Sequence, residues 1–86
     1  MQVTEVTATA TVKATAAMVK LVVLSPGSTA SSVILKDGGA GGAVRLTLVA
    51  ASGTSSVPVN IPDGIPFTTD VHATLAGTGA LAYVGY

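Results

Sequence analysis

One histidine and seven serines are the chain's supply for a hydrolytic site. Asp70 precedes His72 by two positions, so the residue types of a Ser-His-Asp arrangement are present. In such a site a carboxylate orients an imidazole, which takes the proton of the serine. No serine here stands in a Gly-x-Ser-x-Gly elbow. Alternation in Val71-His72-Ala73-Thr74-Leu75 puts Val71, Ala73 and Leu75 on a core face and turns His72 with Thr74 the other way. The expectation is a histidine facing solvent or an interface, and the chain is not read as an enzyme.

Other chemistries fare no better. Asp37, Asp63 and Asp70 fall at strand ends or turns, where carboxylate and carbonyl oxygens can gather around calcium, but Asp-Gly is first of all a turn dipeptide. Gly38-Gly39-Ala40-Gly41-Gly42 lacks both a following helix signal and the Gly-Lys-Ser/Thr of a phosphate-cradling loop. It reads as a hairpin tip, mobile or ordered by a neighbouring subunit. A sugar-binding face needs aromatic platforms; Phe67 is expected in the core, and Tyr83 and Tyr86 fall on opposite strand faces by parity. No cofactor and no metal is expected.

Charge and size narrow the class further. Lys13, Lys20, Lys36 and Arg45 are scattered and matched by four anions, for a formal net charge of zero. A nucleic-acid partner would require a concentrated basic footprint. Apolar runs such as Leu21 to Leu24 are far shorter than the ~20 residues of a membrane helix, and the first residues do not have the charged-then-apolar order of a secretory leader. No membrane partner is expected, and the chain reads as made in the cytoplasm. At 86 residues there is room for one core. Domains this small usually rely on disulfides, a metal or oligomerisation. With no cysteine and one histidine, oligomerisation is the remaining device. Only 9% of residues are charged and mean hydropathy is +0.69, so the surface is weakly protected against association.

The elements that would position these residues are strands. Threonine supplies 12 residues and valine still more; β-branched side chains lose rotamer freedom in helices and pack well on a pleated surface. Val3 to Val12 alternates as a half-buried strand, with Val6, Ala8, Ala10 and Val12 on the inner face. Ala14 to Leu24 runs into the turn Ser25-Pro26-Gly27-Ser28. Ser32–Lys36 and Val44–Val49 flank the glycine stretch as a hairpin. Val57 to Ile61 contains Pro58, which cannot donate to a ladder, so it belongs at an edge or bulge. Pro62-Asp63-Gly64 is expected to turn, Ile65–Phe67 to extend briefly, and Val71–Leu75 and Leu81–Tyr86 to close the fold. Seven or eight short strands with turn signals every eight to twelve residues predict a single antiparallel β-sandwich over residues 1–86, jelly-roll-like, with 1–12 as an arm or edge strand.

The segments SVILKDGGAGGAVRLTLVAA and VPVNIPDGIPFTTDVHATLAGTGALAYVGY have a cadence that resembles small virion structural proteins of tailed bacteriophages, in particular head-decoration or cement proteins. The matching stretches are Leu35 to Gly38 before a glycine-rich loop, Gly64 to Thr69 before an alternating strand, and Leu75 to Tyr86 as a closing hairpin. The resemblance covers roughly residues 30 to 86 and contains no catalytic or metal motif. It implies a virion location and a protein that stabilises a phage head, with the major capsid protein or another virion protein as partner, and a dimer or trimer of the chain itself. Candidate contact residues are Val3, Val6, Ala8, Ala10 and Val12 of the N-terminal segment, Gly38, Gly39, Gly41 and Gly42 of the loop, and Val57 and Val59 of the proline-interrupted strand. The alternative is a ligand- or carbohydrate-binding sandwich in a tail or host-attachment component, using Tyr83, Tyr86 and the turn aspartates.

Overall fold

The computed structural model describes residues 1–53 and 55–86. Eight strands follow one another: β1 (Val3–Val6), β2 (Ala10–Lys13), β3 (Ala17–Ser25), β4 (Ser31–Asp37), β5 (Ala43–Ala50), β6 (Val57–Phe67), β7 (Val71–Ala76) and β8 (Leu81–Gly85). They form two four-stranded antiparallel sheets, a front sheet ordered β1-β8-β3-β6 and a back sheet ordered β2-β7-β4-β5. The pairings nest: β1 with β8, β2 with β7, β3 with β6, β4 with β5. Two further ladders, β3 with β8 and β4 with β7, close the roll. The chain thus forms one long folded-back hairpin rolled into two layers, the connectivity of a jelly roll.

Alternation decides which side chains meet between the layers. In β4 the buried positions are Ser31, Val33, Leu35 and Asp37, and in β7 they are Val71 and Ala73. From the front sheet Val22, Leu24, Ala82 and Val84 face them, all fully enclosed, and Phe67 closes one end. Most of these are valine or alanine, so the core is thin and depends on the close approach of the two sheets rather than on large side chains.

Two stretches depart from the expectation. Val3 to Val12 is not one strand: the chain bends at residues 7–9 and crosses from the front sheet to the back. Val6 is buried and Val12 packs against the core, whereas Ala8 and Ala10 are exposed, because the corner breaks the alternation that would have put all four on one inner face. Residues 3–6 and 10–13 are instead edge strands of different sheets. Pro62-Asp63-Gly64 does not end a strand either. β6 runs on to Phe67, and the extra residues bulge out where pairing jumps from Leu21↔Asn60 to Val19↔Ile65. A bulge absorbs turn-forming residues at a sheet edge without ending the ladder.

Candidate interaction site

Asp37 ends β4 with its carboxylate buried. One oxygen, Oδ2, accepts the Thr68 N–H at 2.9 Å and the Thr68 hydroxyl at 3.0 Å; the other, Oδ1, accepts the Thr69 N–H at 2.9 Å and the Asp70 N–H at 3.4 Å. Arg45 approaches to 3.6 Å. These donors, led by the Thr68 and Thr69 amides, hold the carboxyl well below the usual carboxylate range despite its burial. Asp70 answers from the other side: its Oδ1 accepts the N–H groups of Gly38 and Gly39 at 2.9 and 3.0 Å. Both glycines have positive φ, 108° and 79°, which lets successive amides converge on one oxygen.

This arrangement is structural. Both carboxylates are occupied by N–H donors, the opposite of what a cation requires, and Asp63 lies apart in the β6 bulge. Among the described residues no three of His, Asp and Glu stand together. The glycine tip is also tied down, by the Gly42 N–H to Gly39 O bond at 3.0 Å and by Lys36 Nζ on Ala40 O at 2.9 Å.

The structure does not bring His72 and Asp70 together. His72 stands on the outer face of the back sheet between Thr11 and Lys36. Its Nδ1 lies 3.5 Å from Thr11 Oγ1, and Nε2 is enclosed with no partner among the described residues. The tyrosines are separated as parity predicts. Tyr83 faces outward and donates to Glu5 Oε2 at 3.1 Å, while Tyr86 packs against the core, its hydroxyl 3.0 Å from Thr4 Oγ1 and Lys13 Nζ 5.2 Å above its ring. They make no common platform for a sugar.

Of the candidate contact residues, Val3 is exposed on the front sheet. Val57 packs against the core, and Val59 lies opposite Val22 on the inner side of β6, so neither points outward. A cleft of about 150 Å³ in the crook between β1 and β2 is lined by threonine, alanine and valine, with Glu5 its one titratable group.

The more extensive surface is one the alternation did not reveal. On the outer side of the front sheet, cross-strand registers line up Glu5, Tyr83, Val23 and Pro58 in one row and Val3, Gly85, Leu21 and Asn60 in the next. Leu81 continues it opposite Ser25. Met1 lies across Gly85, where a Cβ would collide with its sulfur and touch Leu21. In β3 both faces are apolar: Val22 and Leu24 inward, Leu21 and Val23 outward. That is the pattern of a strand covered on both sides, yet in this single chain no second layer lies on the outer side and Leu21 and Val23 are only half-buried. The signal was the unbroken run Leu21-Val22-Val23-Leu24. No protein-family model matches the chain, and neither does any curated protein or solved structure.

Proposed function

We propose that the chain is a virion structural protein of the head-decoration or cement kind, which docks on the major capsid protein or another virion protein through the outer face of its front sheet. The observation that carries this reading is the cluster of half-buried Leu21, Val23, Leu81 and Tyr83 beside exposed Val3 and Met1 on one outer sheet face, an apolar patch of a kind usually found against another protein surface. The cadence shared with phage decoration proteins gives the partner its class. The jelly roll alone does not, because the same architecture serves capsid and lectin domains.

Co-sedimentation with empty shells assembled from purified major capsid protein of a tailed phage tests the proposal. The chain is expected to pellet with shells at a fixed stoichiometry, nearly independent of salt because the contact is apolar. Val23→Asp, which adds a charge to the face without entering the core, is expected to abolish it. Shells that sediment free of the chain would overturn the proposal.

A further inference from the structure

Each sheet has two edges, and three of the four are blunted. β1 and β2 have four residues each. β6 carries Pro58, Pro62 and Pro66, which withhold N–H groups, and a bulge besides. These are standard means of preventing a neighbour from adding a strand. β5 is neither short nor interrupted by proline, and its one irregularity is a bulge between Val44 and Leu46. It is eight residues long without proline, lies at the end of the back sheet, and pairs only with β4 among the described residues. Its alternate backbone groups therefore point into solvent. Val44 and Val49 are 57% and 68% exposed, and Leu46 and Leu48 reach the core only partly.

The sequence of β5 says what fits there. Its register with β4 passes from Leu35↔Leu46 to Lys36↔Val44, so Arg45 is the extra residue of a bulge. Its guanidinium, the one charge on the strand, reaches towards Asp37. With Arg45 set aside the strand reads Ala43-Val44-Leu46-Thr47-Leu48-Val49-Ala50, identical in both directions. An antiparallel pair around a two-fold axis places each residue opposite its mirror position. Such a palindrome then matches like with like.

We infer that a second copy of the chain pairs with this edge, β5 against β5, with Thr47 on the two-fold axis, joining the back sheets of two protomers into one eight-stranded sheet. Leu46 lies opposite Leu48 of the second copy on the inner side, and Val49 lies against Val44 on the outer side. Ala43 meets Ala50. A shift by one residue would oppose inward Leu46 to outward Thr47 and lose every match. This edge lies apart from the front-sheet face proposed for docking, so the two ideas fail separately.

Thr47→Cys provides the test, because the chain has no cysteine of its own. Directly opposed residues in an antiparallel pair have Cα atoms ~4.5–5.5 Å apart, within the ~4.4–6.8 Å of a disulfide. Under mild oxidation Thr47→Cys is expected to convert to a covalent dimer at low concentration, while Asn60→Cys on the proline-guarded edge stays monomeric. By light scattering the unmodified chain is expected at twice its 8.3 kDa mass, and Val49→Lys at the single mass with an unchanged circular dichroism spectrum. Equal cross-linking of the two cysteine variants, or an unmodified chain that is monomeric across a dilution series, would overturn the inference.

Discussion

Asp37 and Asp70 cap each other's loops: the Asp37 carboxylate accepts the N–H groups of residues 68–70, and the Asp70 carboxylate accepts those of Gly38 and Gly39. The two residues stand 33 positions apart. Together they fix the end of β4 and the start of β7, neighbours in the back sheet, so the hairpin tip between β4 and β5 is held from outside as well as by its own turn.

Acid should loosen this joint. Unfolded, Asp37 titrates near 3.8; in the fold its amide donors hold it well below that. A depressed folded value means that the ionised carboxylate stabilises the fold above the unfolded value, and that this contribution is lost as pH falls below about 3.8 towards the folded value. Melting curves from roughly pH 5 to pH 2 should show the loss. Asp37→Asn should melt lower at neutral pH, since its NH₂ faces N–H donors, and should respond less to acid. Parallel acid slopes for the two proteins would remove Asp37 as the cause.

Asp70→Ala isolates the other half. It strips the acceptor from Gly38 and Gly39 while leaving the contacts of Asp37 with Thr68 and Thr69 in place. Charge-assisted bonds of this type are individually worth enough to protect an amide about tenfold. Hydrogen exchange followed by NMR should show Gly38 and Gly39 exchanging roughly tenfold faster, with Thr68 little changed. Unaltered exchange at both glycines would mean that the loop is held by its own turn.

The fold was legible where alternation and turn chemistry agree. In Val71–Leu75 and Ser32–Lys36 every second residue is apolar and turned inward, buried at Val71, Ala73, Val33 and Leu35 and partly so at Leu75, because one face meets the opposite sheet and the other does not. It was not legible in Val3–Val12, where Thr-Ala-Thr-Ala continues unchanged through a corner that contains neither glycine nor proline. At Pro62-Asp63-Gly64 the turn residues were plain, but an edge strand can hold them in a bulge, and only the partner register shows which occurs. The mutual capping by Asp37 and Asp70 depends on a tertiary approach that no local pattern carries. The outer face of β3 was written in its unbroken apolar run, yet such a run does not say which of its faces the single chain will cover.

Two glycines should respond in opposite ways to alanine. Gly77 has φ of 113°, and a Cβ there would run into Ser31. Ser31 is 2% exposed and bridges its turn by accepting the Gly27 N–H at 3.2 Å and donating to Thr29 O at 3.0 Å. Backbone strain of this sort costs about 1–3 kcal/mol, so Gly77→Ala should lower the melting temperature by roughly 4–8 °C for each kcal/mol. Gly41 has open space around its Cβ position and no positive φ. Gly41→Ala should leave stability unchanged or raise it by about 0.4–1 kcal/mol through the unfolded chain. Equal melting of the two variants would contradict the turn geometry.

Tyr83 offers a reporter on the face proposed for docking. Its hydroxyl donates to Glu5, and ionisation would forfeit that bond and set two negative charges side by side, so its pKa is raised above 10.0. The sign follows: the neutral phenol favours the fold below pH 10.0, and that contribution is lost as pH rises through the shifted value. Alkaline titration by tyrosinate absorbance should show a displaced step that Glu5→Gln moves back towards 10.0. A step that stays put in Glu5→Gln would assign the displacement to something other than this pair. The same titration with capsid shells present distinguishes the surfaces. If the front sheet is the docking face, covering it takes the phenol out of water and moves its step further up; binding through the back sheet leaves that step where it stood.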